Sequence, residues 1–301
     1  MILNSGSFAK LLWPGLSRTY GLAYDEHEVE YTDLFETRSS DKAYEETMAM
    51  SGFGLASAIP SGSSVSYDTA SQSFITRFTH VKYGLGFIIT REMVEDDQYK
   101  QVGNLRAQAL AMSMRITKET VGANVYNRAF NASYLGGDGK ELCATDHPSK
   151  NGPAYANELT VAATLSEAAL EQACIDIMRM KNDRGLQIKI MPVSLHIPPE
   201  LYFEAERILG SKLRVGTANN DKNVLGDSNK FPGGVKVNHY FTDTNNWFIR
   251  TNVKGMAYYE RRGDDFAVDG DFDTDNAKYK ATGRYSFGWD DPRTIFGSGP
   301  A

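Results

Sequence analysis

The stretch from Thr90 to Phe130 constrains this chain most, because its pattern predicts one unusually long helix. Thr90 is a suitable N-cap, and acidic residues crowd the first turns, where the helix dipole favours negative charge. Apolar residues recur at three- and four-residue steps and predict one apolar stripe, formed by Val102, Leu105, Ala109, Met112 and Ile116. At about 1.5 Å per residue such a helix would reach roughly 60 Å, so we expect it to act as a strut.

The other faces of this strut are less regular. A flanking apolar stripe and a polar surface are predicted, the first formed by Leu110, Met114, Val121 and Val125, the second including Arg106, Arg115 and Lys118. Gly103 and Gly122 each cost about 1 kcal/mol relative to Ala, which favours a bend or break at either position. An ordinary core helix with a frayed start is the alternative. A coiled coil is disfavoured, because Glu119 and Thr120 interrupt the seam.

The segment before the strut has the composition of a hairpin. Ser51 to Ser73 is rich in Gly, Ser, Ala and Thr, and Phe74 to Ile89 is rich in β-branched and aromatic residues. These patterns predict a long two-stranded hairpin that leads directly into the helix. Because an isolated hairpin is marginal in water, either the rest of the chain or a neighbouring copy must cover it.

The flanking regions complete an α+β pattern. Residues 1–44 are predicted to form an aromatic arm with a short helix from Ser7 to Leu12 that Pro14 and Gly15 end. After the strut we expect a loop, two helices and several strands. These are a loop over Asn131–Asn157, a helix with a Thr164/Glu167 capping box that Gly185 closes, a strand over Ile188–Ile197, a helix that Pro198-Pro199 opens and that runs through Leu209, a loop over Ser211–Gly234, and strands at Val235–Phe241, Trp247–Thr251, Met256–Glu260 and Lys278–Trp289.

Composition excludes several classes of protein. The chain has 301 residues, enough for one large or two medium domains, and a net charge of −6, which does not favour a nucleic-acid-binding surface. Its two cysteines, Cys143 and Cys174, are too few for a disulfide framework or a cysteine zinc site and suit a reducing compartment. Neither a membrane-spanning run nor a signal peptide is visible, so we expect a soluble protein that is intracellular when made.

Catalytic and metal-binding motifs are nearly absent from the sequence. The phosphate-loop, dinucleotide, nucleophile-elbow and zinc-protease motifs are missing. Asp146-His147 in a Gly-rich loop is more typical of a turn than of a catalytic pair. Asp269 to Asp275 resembles a calcium loop, but Thr274 and Lys280 replace the glycine and glutamate of an EF-hand, which leaves only a loose cation site open. We therefore predict no catalytic residue, no cofactor and no metal site.

The order of parts resembles the major capsid protein of tailed phages, which has the HK97-like fold. The stretch Phe87-Ile-Ile-Thr-Arg-Glu-Met-Val-Glu-Asp-Asp-Gln-Tyr99 is similar to the hairpin-to-helix junction of Mu-type major head subunits. The passage Leu142-Cys-Ala-Thr-Asp-His-Pro148, followed by Leu165-Ser-Glu-Ala-Ala-Leu-Glu-Gln172, resembles the step into their axial domain. The resemblance spans nearly the whole chain and rests on order and short phrases, without a diagnostic motif.

The resemblance implies a structural protein that forms pentamers and hexamers of an icosahedral head around double-stranded DNA. It implies an N-terminal arm (1–44), an E-loop hairpin (45–89), a spine helix with part of the peripheral domain (90–158), an axial domain (159–256) and return strands of the peripheral domain (257–301). The scaffolding segment that begins many family members is not expected here, so a separate scaffold or none would serve. Lys82 lies near the base of the hairpin, so the covalent crosslinking of some members is not expected either.

The same resemblance implies partners and a location. The partners are other copies of the chain, together with scaffold, portal and decoration proteins and a weak, non-specific contact with packaged DNA; the location is the virion, after synthesis in the host cytoplasm. The assembly-interface candidates are Phe8, Trp13, Phe53, Leu55, Ile59, Tyr67 and Phe74. Two alternatives stay open: an encapsulin-type shell that encloses a cargo enzyme, and a hydrolytic or metal-dependent enzyme that uses Asp146 and His147.

Overall fold

The computed structural model describes residues 5–95, 99–211, 213, 222–227, 230–271 and 276–300, with backbone only at 5–12, 94–95, 99–101 and 227. The chain divides into two compact units. The first comprises Met1–Tyr44, Phe78–Gly122 and Tyr258–Phe287, and the second Glu45–Arg77, Ala123–Ala257 and Gly288–Ala301.

Helices and strands alternate irregularly along the chain, as an α+β pattern predicts. The helices are α1 (Ser5–Glu26), α2 (Tyr31–Leu34), α3 (Arg91–Glu95), α4 (Tyr99–Asn127), α5 (Glu167–Arg179), α6 (Tyr202–Gly210) and α7 (Val224–Asp227), with 3-10 turns at Pro199–Leu201 and Pro292–Thr294. The strands are β1 (Glu36–Ser39), β2 (Tyr44–Met50), β3 (Gln72–Thr79), β4 (Val81–Ile89), β5 (Pro192–Ile197), β6 (Val235–Val237), β7 (Trp247–Thr251), β8 (Met256–Gly270), β9 (Ala277–Trp289) and β10 (Ile295–Ser298). Within the described residues, no helix is long and apolar enough to cross a membrane.

The first unit packs α1 and α4 against a four-stranded sheet of order β1-β8-β9-β4. β4 and β9 are antiparallel, with Val81 opposite Tyr285 and Ile89 opposite Ala277. One apolar core joins the three elements, with Leu16, Tyr20 and Ala23 from α1, Ala107, Leu110, Ala111 and Met114 from α4, and Ile89, Phe266, Ala277, Tyr279 and Ala281 from the sheet. The N-terminal segment is therefore part of this core.

The long helix is confirmed, and several of its details are corrected. Thr90 caps α3 by accepting a hydrogen bond from the Met93 N–H at 3.4 Å, and α4 runs from Tyr99 to Asn127 rather than from Thr90 to Phe130. α4 continues unbroken through Gly103 and Gly122. Their missing Cβ atoms allow close packing, because a Cβ at Gly103 would lie 3.3 Å from the Leu16 side chain.

The predicted orientation of α4 was wrong. Of the predicted stripe, Val102 is half-buried and the other four residues, Leu105, Ala109, Met112 and Ile116, are exposed. The flanking Leu110 and Met114 are buried together with small residues. Arg115 and Lys118, predicted at the surface, are also buried. Small residues let α1 and the sheet approach closely on this side, and neighbouring elements supply partners for the two charges.

Two predicted boundaries in the N-terminal third were also wrong. α1 continues through Pro14 to Glu26 instead of ending at residue 12. An interior proline costs about 3 kcal/mol, and the burial of Leu16, Tyr20 and Ala23 beyond it offsets this cost. The hairpin consists of β2 and β3 alone, because β4 leaves it after His80 and joins the sheet of the first unit.

The second unit contains a four-stranded sheet of order β10-β7-β5-β6 that packs against α5. β5 pairs in parallel with β6 and antiparallel with β7. Ser166, not Thr164, caps α5 by accepting from the Ala169 N–H at 3.3 Å, and the helix ends at Arg179 well before Gly185. The helical segment after Pro199 and the strands at Trp247–Thr251 and Lys278–Trp289 are confirmed.

Four other boundaries in this half of the chain differ from the prediction. β5 begins only at Pro192, and β6 ends at Val237 instead of residue 241. β8 extends to Gly270, and α7 interrupts the predicted loop between residues 211 and 234.

Candidate functional site

The connection between β2 and β3, residues 51–71, presents apolar side chains to solvent; we refer to it as the hairpin connection. Leu55 is 84% exposed and Tyr67 is 97% exposed, and Phe53, Ile59 and Val65 are exposed as well. All of residues 51–71 are described, and they contain neither helix nor strand. Several exposed apolar side chains in one segment indicate an interaction surface.

The root of the hairpin connection is fixed by hydrogen bonds although its apolar residues are uncovered. The Ser51 N–H donates to the Ser71 carbonyl at 2.9 Å, and the two serine hydroxyls lie 2.8 Å apart. Asn151 Nδ2 donates to Ser71 Oγ at 2.6 Å. Gly62, with φ +85°, allows the left-handed backbone of the turn at the tip, where the Ser63 N–H donates to the Pro60 carbonyl at 3.1 Å.

Arg184 holds both sides of the same connection. Its Nε donates to the Gly52 carbonyl at 3.0 Å, and its Nη2 donates to the Thr69 carbonyl at 2.5 Å. The guanidinium also lies 3.3 Å from the Asp68 carboxylate. Asp68 in turn accepts from the Gly54 and Thr69 N–H groups, which lower the pKa of its carboxyl. The exposed apolar residues are therefore presented from an ordered root.

The remaining interface candidates lie elsewhere. Trp13 is on α1 and is 39% exposed, and Phe74 is half-buried on β3. Phe8 falls in α1, but its side chain lies outside the described residues. Phe53, Leu55, Ile59 and Tyr67 thus all belong to the hairpin connection, whereas Trp13 belongs to the first unit. All seven stay predictions as contact residues.

The sequence analysis missed a second exposed apolar surface, the α4 row, which we define as Leu105, Ala109, Met112 and Ile116. Leu105 is 64% exposed, and the other three are exposed too. Their spacing predicts an apolar stripe, but it does not show which way that stripe faces. The signal that could have distinguished the two faces is the series of small residues Gly103, Ala107 and Ala111, which a tightly packed face requires.

Buried polar side chains of α4 hold the N-terminal segment in the first unit. Arg115 Nη2 donates to the Tyr24 carbonyl near the end of α1 at 3.1 Å, and its guanidinium lies 3.9 Å from the centre of the Tyr24 ring. The Glu119 carboxylate accepts from the Tyr31 N–H at 2.8 Å and the Glu30 N–H at 3.3 Å, at the start of α2. A cation at the end of one helix and an anion at the start of the next both complement the helix dipoles.

Glu119 should make the stability of the first unit depend on pH. It is 1% exposed, and burial raises the pKa of its carboxyl from 4.5 to about 7, against the lowering effect of the Tyr31 and Glu30 N–H donors. The nearby Glu30 carboxylate raises this pKa and the Arg115 guanidinium lowers it. Because the folded state then binds the proton more tightly, the contribution is fully present below pH about 4.5 and is lost as the pH rises through about 7.

We expect Glu119→Gln to flatten the dependence of the thermal midpoint on pH between about 4.5 and 7. The measurement is a series of thermal unfolding curves at constant ionic strength. Glu92→Gln, at an exposed position of α3, is the control and should run parallel to the wild type. Equal slopes for the wild type and Glu119→Gln would contradict the assignment.

Asp146 and His147 each pair with another residue rather than with each other. Asp146 pairs with Lys140 at 2.5 Å, while His147 Nδ1 lies 2.6 Å from Asp138 Oδ2. His147 Nε2 lies 3.0 Å from the Asn157 side-chain oxygen, and the imidazole is fully buried and stacked on Tyr155. These contacts give His147 a structural position.

The described part of the acidic segment shows an ordinary ion pair. Asp271 lies 2.5 Å from Lys278, and Asp273 and Asp275 of the loose cation site lie outside the described residues. Among the residues that the structure describes, no group of three or more His, Cys, Asp or Glu side chains could hold a metal ion.

A small cleft in the second unit also has paired charges. Its volume is about 40 Å³, which is room for one or two water molecules, and Phe74, Tyr155 and Arg293 are on its wall. Arg293 lies 4.4 Å over the Tyr155 ring and pairs with Asp183 and with Asp291. The Arg293 guanidinium in the wall is therefore ion-paired, although its Nε has no hydrogen-bond partner among the described residues.

Comparison with known proteins yields one family and several similar folds. A model of the phage capsid protein family matches residues 74–297. No curated protein sequence matches the chain.

Several solved structures are similar to this chain. They include a virus-like particle from Pyrococcus furiosus (TM-score 0.56, 9% identity, covering 96% of this chain and 99% of that chain), a structure from Mycobacterium phage Che8 (0.52, 13%, 90% and 90%) and the procapsid of bacteriophage JBD30 (0.52, 15%, 98% and 76%). At these identities the likeness concerns the fold.

Proposed function

The chain belongs to the phage capsid protein family and has the HK97-like fold, and on that premise we propose that it self-assembles into the pentamers and hexamers of an icosahedral shell around double-stranded DNA. As a phage capsid protein it is a structural component of the virion. The proposal makes other copies of the chain its principal partner. Scaffold, portal and decoration proteins, weak contact with DNA and synthesis in the host cytoplasm belong to the same proposal.

The observation that carries this proposal is the hairpin connection. Its apolar residues are held in place by Arg184, Asn151 and Asp68, yet they remain uncovered within the chain. Fixing a binding segment in advance reduces the ordering cost of association. We propose that a neighbouring subunit covers the connection. The arm, the spine helix and the axial domain keep the boundaries stated above as part of the proposal.

We expect wild-type protein to form closed shells, or free pentamers and hexamers, and the double variant Leu55→Asp/Tyr67→Asp to remain as smaller species. Two charges placed in an apolar contact must either lose their hydration or keep the neighbouring subunit away. The loss of hydration costs several kcal/mol per contact. Light scattering and negative-stain microscopy of the purified material measure the difference.

The matched control is Ser61→Asp/Ser64→Asp, which adds the same charge to exposed positions of the same connection and should still assemble. Assembly of both double variants would refute the role of the connection. Nuclease-protected DNA in native particles would support the phage head, whereas enclosed protein without DNA would favour the encapsulin-type shell.

A further inference from the structure

Asn151 lies in a loop of the second unit that contacts the root of the hairpin connection, and the next residue is glycine. It is the only asparagine of the 301-residue chain that glycine follows. The loop comprises residues 148–154, which contain neither helix nor strand and lie between the paired residues His147 and Tyr155. Because glycine has no Cβ, its backbone nitrogen can approach the side-chain amide of the preceding residue more closely than that of any other residue.

The local structure leaves this dipeptide open to reaction with water. Asn151 is exposed. Among the described residues, none accepts a hydrogen bond from the Gly152 N–H. Loops without helix or strand hydrogen bonds open locally at low cost in free energy. The side-chain amide of Asn151 and the backbone nitrogen of Gly152 can therefore meet without unfolding of the second unit.

Close packing explains why glycine occupies position 152. A Cβ there would lie 3.0 Å from the Asp183 carbonyl oxygen and 3.0 Å from the Gly185 backbone nitrogen. A larger residue would therefore press on the turn that carries Arg184, the residue that holds both sides of the hairpin connection. The same packing that fixes the root thus places a glycine directly after Asn151.

The Asn151 amide acts as a hydrogen-bond donor at the root of the hairpin connection. Its Nδ2 donates to Ser71 Oγ at 2.6 Å and to Ser51 Oγ at 3.3 Å. The Ser71 N–H in turn donates to Ser51 Oγ at 3.1 Å. An ionised carboxylate accepts hydrogen bonds and donates none. Conversion of the amide to a carboxylate would therefore remove both bonds that Nδ2 makes.

We propose that Asn151 is a site of spontaneous deamidation and that its isoaspartyl product detaches the loop from the root of the hairpin connection. The Gly152 nitrogen attacks Asn151 Cγ, and the new N–C bond closes a succinimide ring. The Cγ–Nδ2 bond breaks, and Nδ2 leaves as ammonia together with the proton of the Gly152 amide. Water then opens the ring to aspartate or to isoaspartate, and no atom is oxidised or reduced.

The two products affect the root differently. Aspartate keeps the length of the main chain, and its carboxylate can accept a hydrogen bond from the Ser71 hydroxyl in place of the bond that Nδ2 donated. In isoaspartate the main chain runs through the former side-chain carbon, so the backbone is longer and the remaining carboxylate is carried on a shorter arm. The contact with Ser71 is then lost. A less ordered root would raise the ordering cost of any association through the hairpin connection.

The experiment follows deamidation in the purified full-length chain during incubation at mildly alkaline pH, where the attacking nitrogen loses its proton more readily. Peptide mass spectrometry measures the rate at each asparagine, and isoaspartate-specific enzymatic methylation identifies the isoaspartyl product. Asn131 is the internal reference, because it is also exposed but is followed by Ala132. We expect deamidation about tenfold faster at Asn151 than at Asn131. Equal rates at the two positions would overturn the proposal.

Hydrogen exchange then measures the effect on the root. The Ser51 and Ser71 amides should exchange about three- to tenfold faster in the isoaspartyl fraction than in fresh protein. Asn151→Gln is the matched control, since it keeps an amide donor but closes the corresponding ring far more slowly, and its exchange should not change during the same incubation.

Two outcomes would contradict the effect on the root. They are an isoaspartyl fraction that exchanges like fresh protein, and an equal rise of exchange in incubated Asn151→Gln. Freshly purified Asn151→Asp, which represents the aspartyl product, should exchange more slowly at Ser51 and Ser71 than the isoaspartyl fraction does. Because the reaction involves a single chain, these results do not depend on whether the protein assembles into shells.

Discussion

Replacing Lys118 with Met should lower the free energy of unfolding by about 3–5 kcal/mol, because it leaves Asp264 as an uncompensated buried charge. Lys118 Nζ lies 3.1 Å from Asp264 Oδ2, and both side chains are almost completely buried. The Tyr24 hydroxyl donates to the same oxygen. The ammonium also lies over three aromatic rings, at 5.6 Å from that of Tyr24, 5.9 Å from Tyr258 and 5.3 Å from Tyr285.

Urea denaturation, monitored by circular dichroism, measures this loss of stability. Two further variants serve as controls. Lys140→Met removes an ion pair of similar geometry whose partner Asp146 is exposed, so it should destabilise the protein far less. Lys118→Met/Asp264→Leu removes both charges and should recover much of the stability that the single variant loses. Equal effects of Lys118→Met and Lys140→Met would show that the buried pair is not decisive.

This ion pair illustrates what the sequence could not supply. The sequence placed Lys118 on a long helix, which is correct, and on its polar surface, which is wrong. The deciding partner, Asp264, lies on β8 far along the chain, and no local pattern links the two positions. The limited space beside Asp264 is likewise visible only in the structure. A Cβ at Gly283 would lie 2.3 Å from Asp264 Oδ1.

The elements that local chemistry determines were predicted well. The α4 helix, the helix after Pro199 and the strand Trp247–Thr251 follow from periodicity and capping, whereas Thr90 caps the short helix α3 instead of the long helix. The failures are cases where distant packing overrides a local preference. Pro14 stays inside α1 because the residues beyond it are buried, and the α4 row faces outward because smaller residues pack better on the sheet.

The candidate site also has a part that the sequence predicts and a part that it does not predict. Turn chemistry and exposed-looking apolar residues identified the hairpin connection, and the structure exposes Phe53, Leu55, Ile59 and Tyr67 there. The role of Arg184 could not be predicted, because its ligands are mainly backbone carbonyls from a distant segment. Asp146 and His147 are adjacent in sequence, but successive side chains point in different directions. Asp146 therefore contacts Lys140, and His147 contacts Asp138.

Asn157→Ala should be among the most destabilising single substitutions in the second unit. The Asn157 side chain is fully buried, and its Nδ2 donates to the carbonyls of Leu142 at 2.7 Å, Pro292 at 3.0 Å and Ile295 at 3.2 Å. Its Oδ1 accepts from the Ala144 N–H at 2.8 Å and from His147 Nε2. Removing the amide leaves several buried groups without partners, at about 1–3 kcal/mol each, so a total loss of about 4 kcal/mol or more is expected.

Two controls assign that loss to the hydrogen bonds of Asn157. Asn157→Asp preserves shape and the accepting oxygen but turns a negative charge toward carbonyl oxygens, so it should destabilise at least as much as Ala. Asn245→Ala, in an exposed turn, should stay within about 0.5 kcal/mol of the wild type. Because Asn157 connects the loop that carries His147 to the chain end before β10, its loss should first raise hydrogen exchange at residues 142–157 and 292–297. Exchange that rises uniformly across the chain, or a loss below about 1 kcal/mol, would mean that water or repacking replaces these bonds.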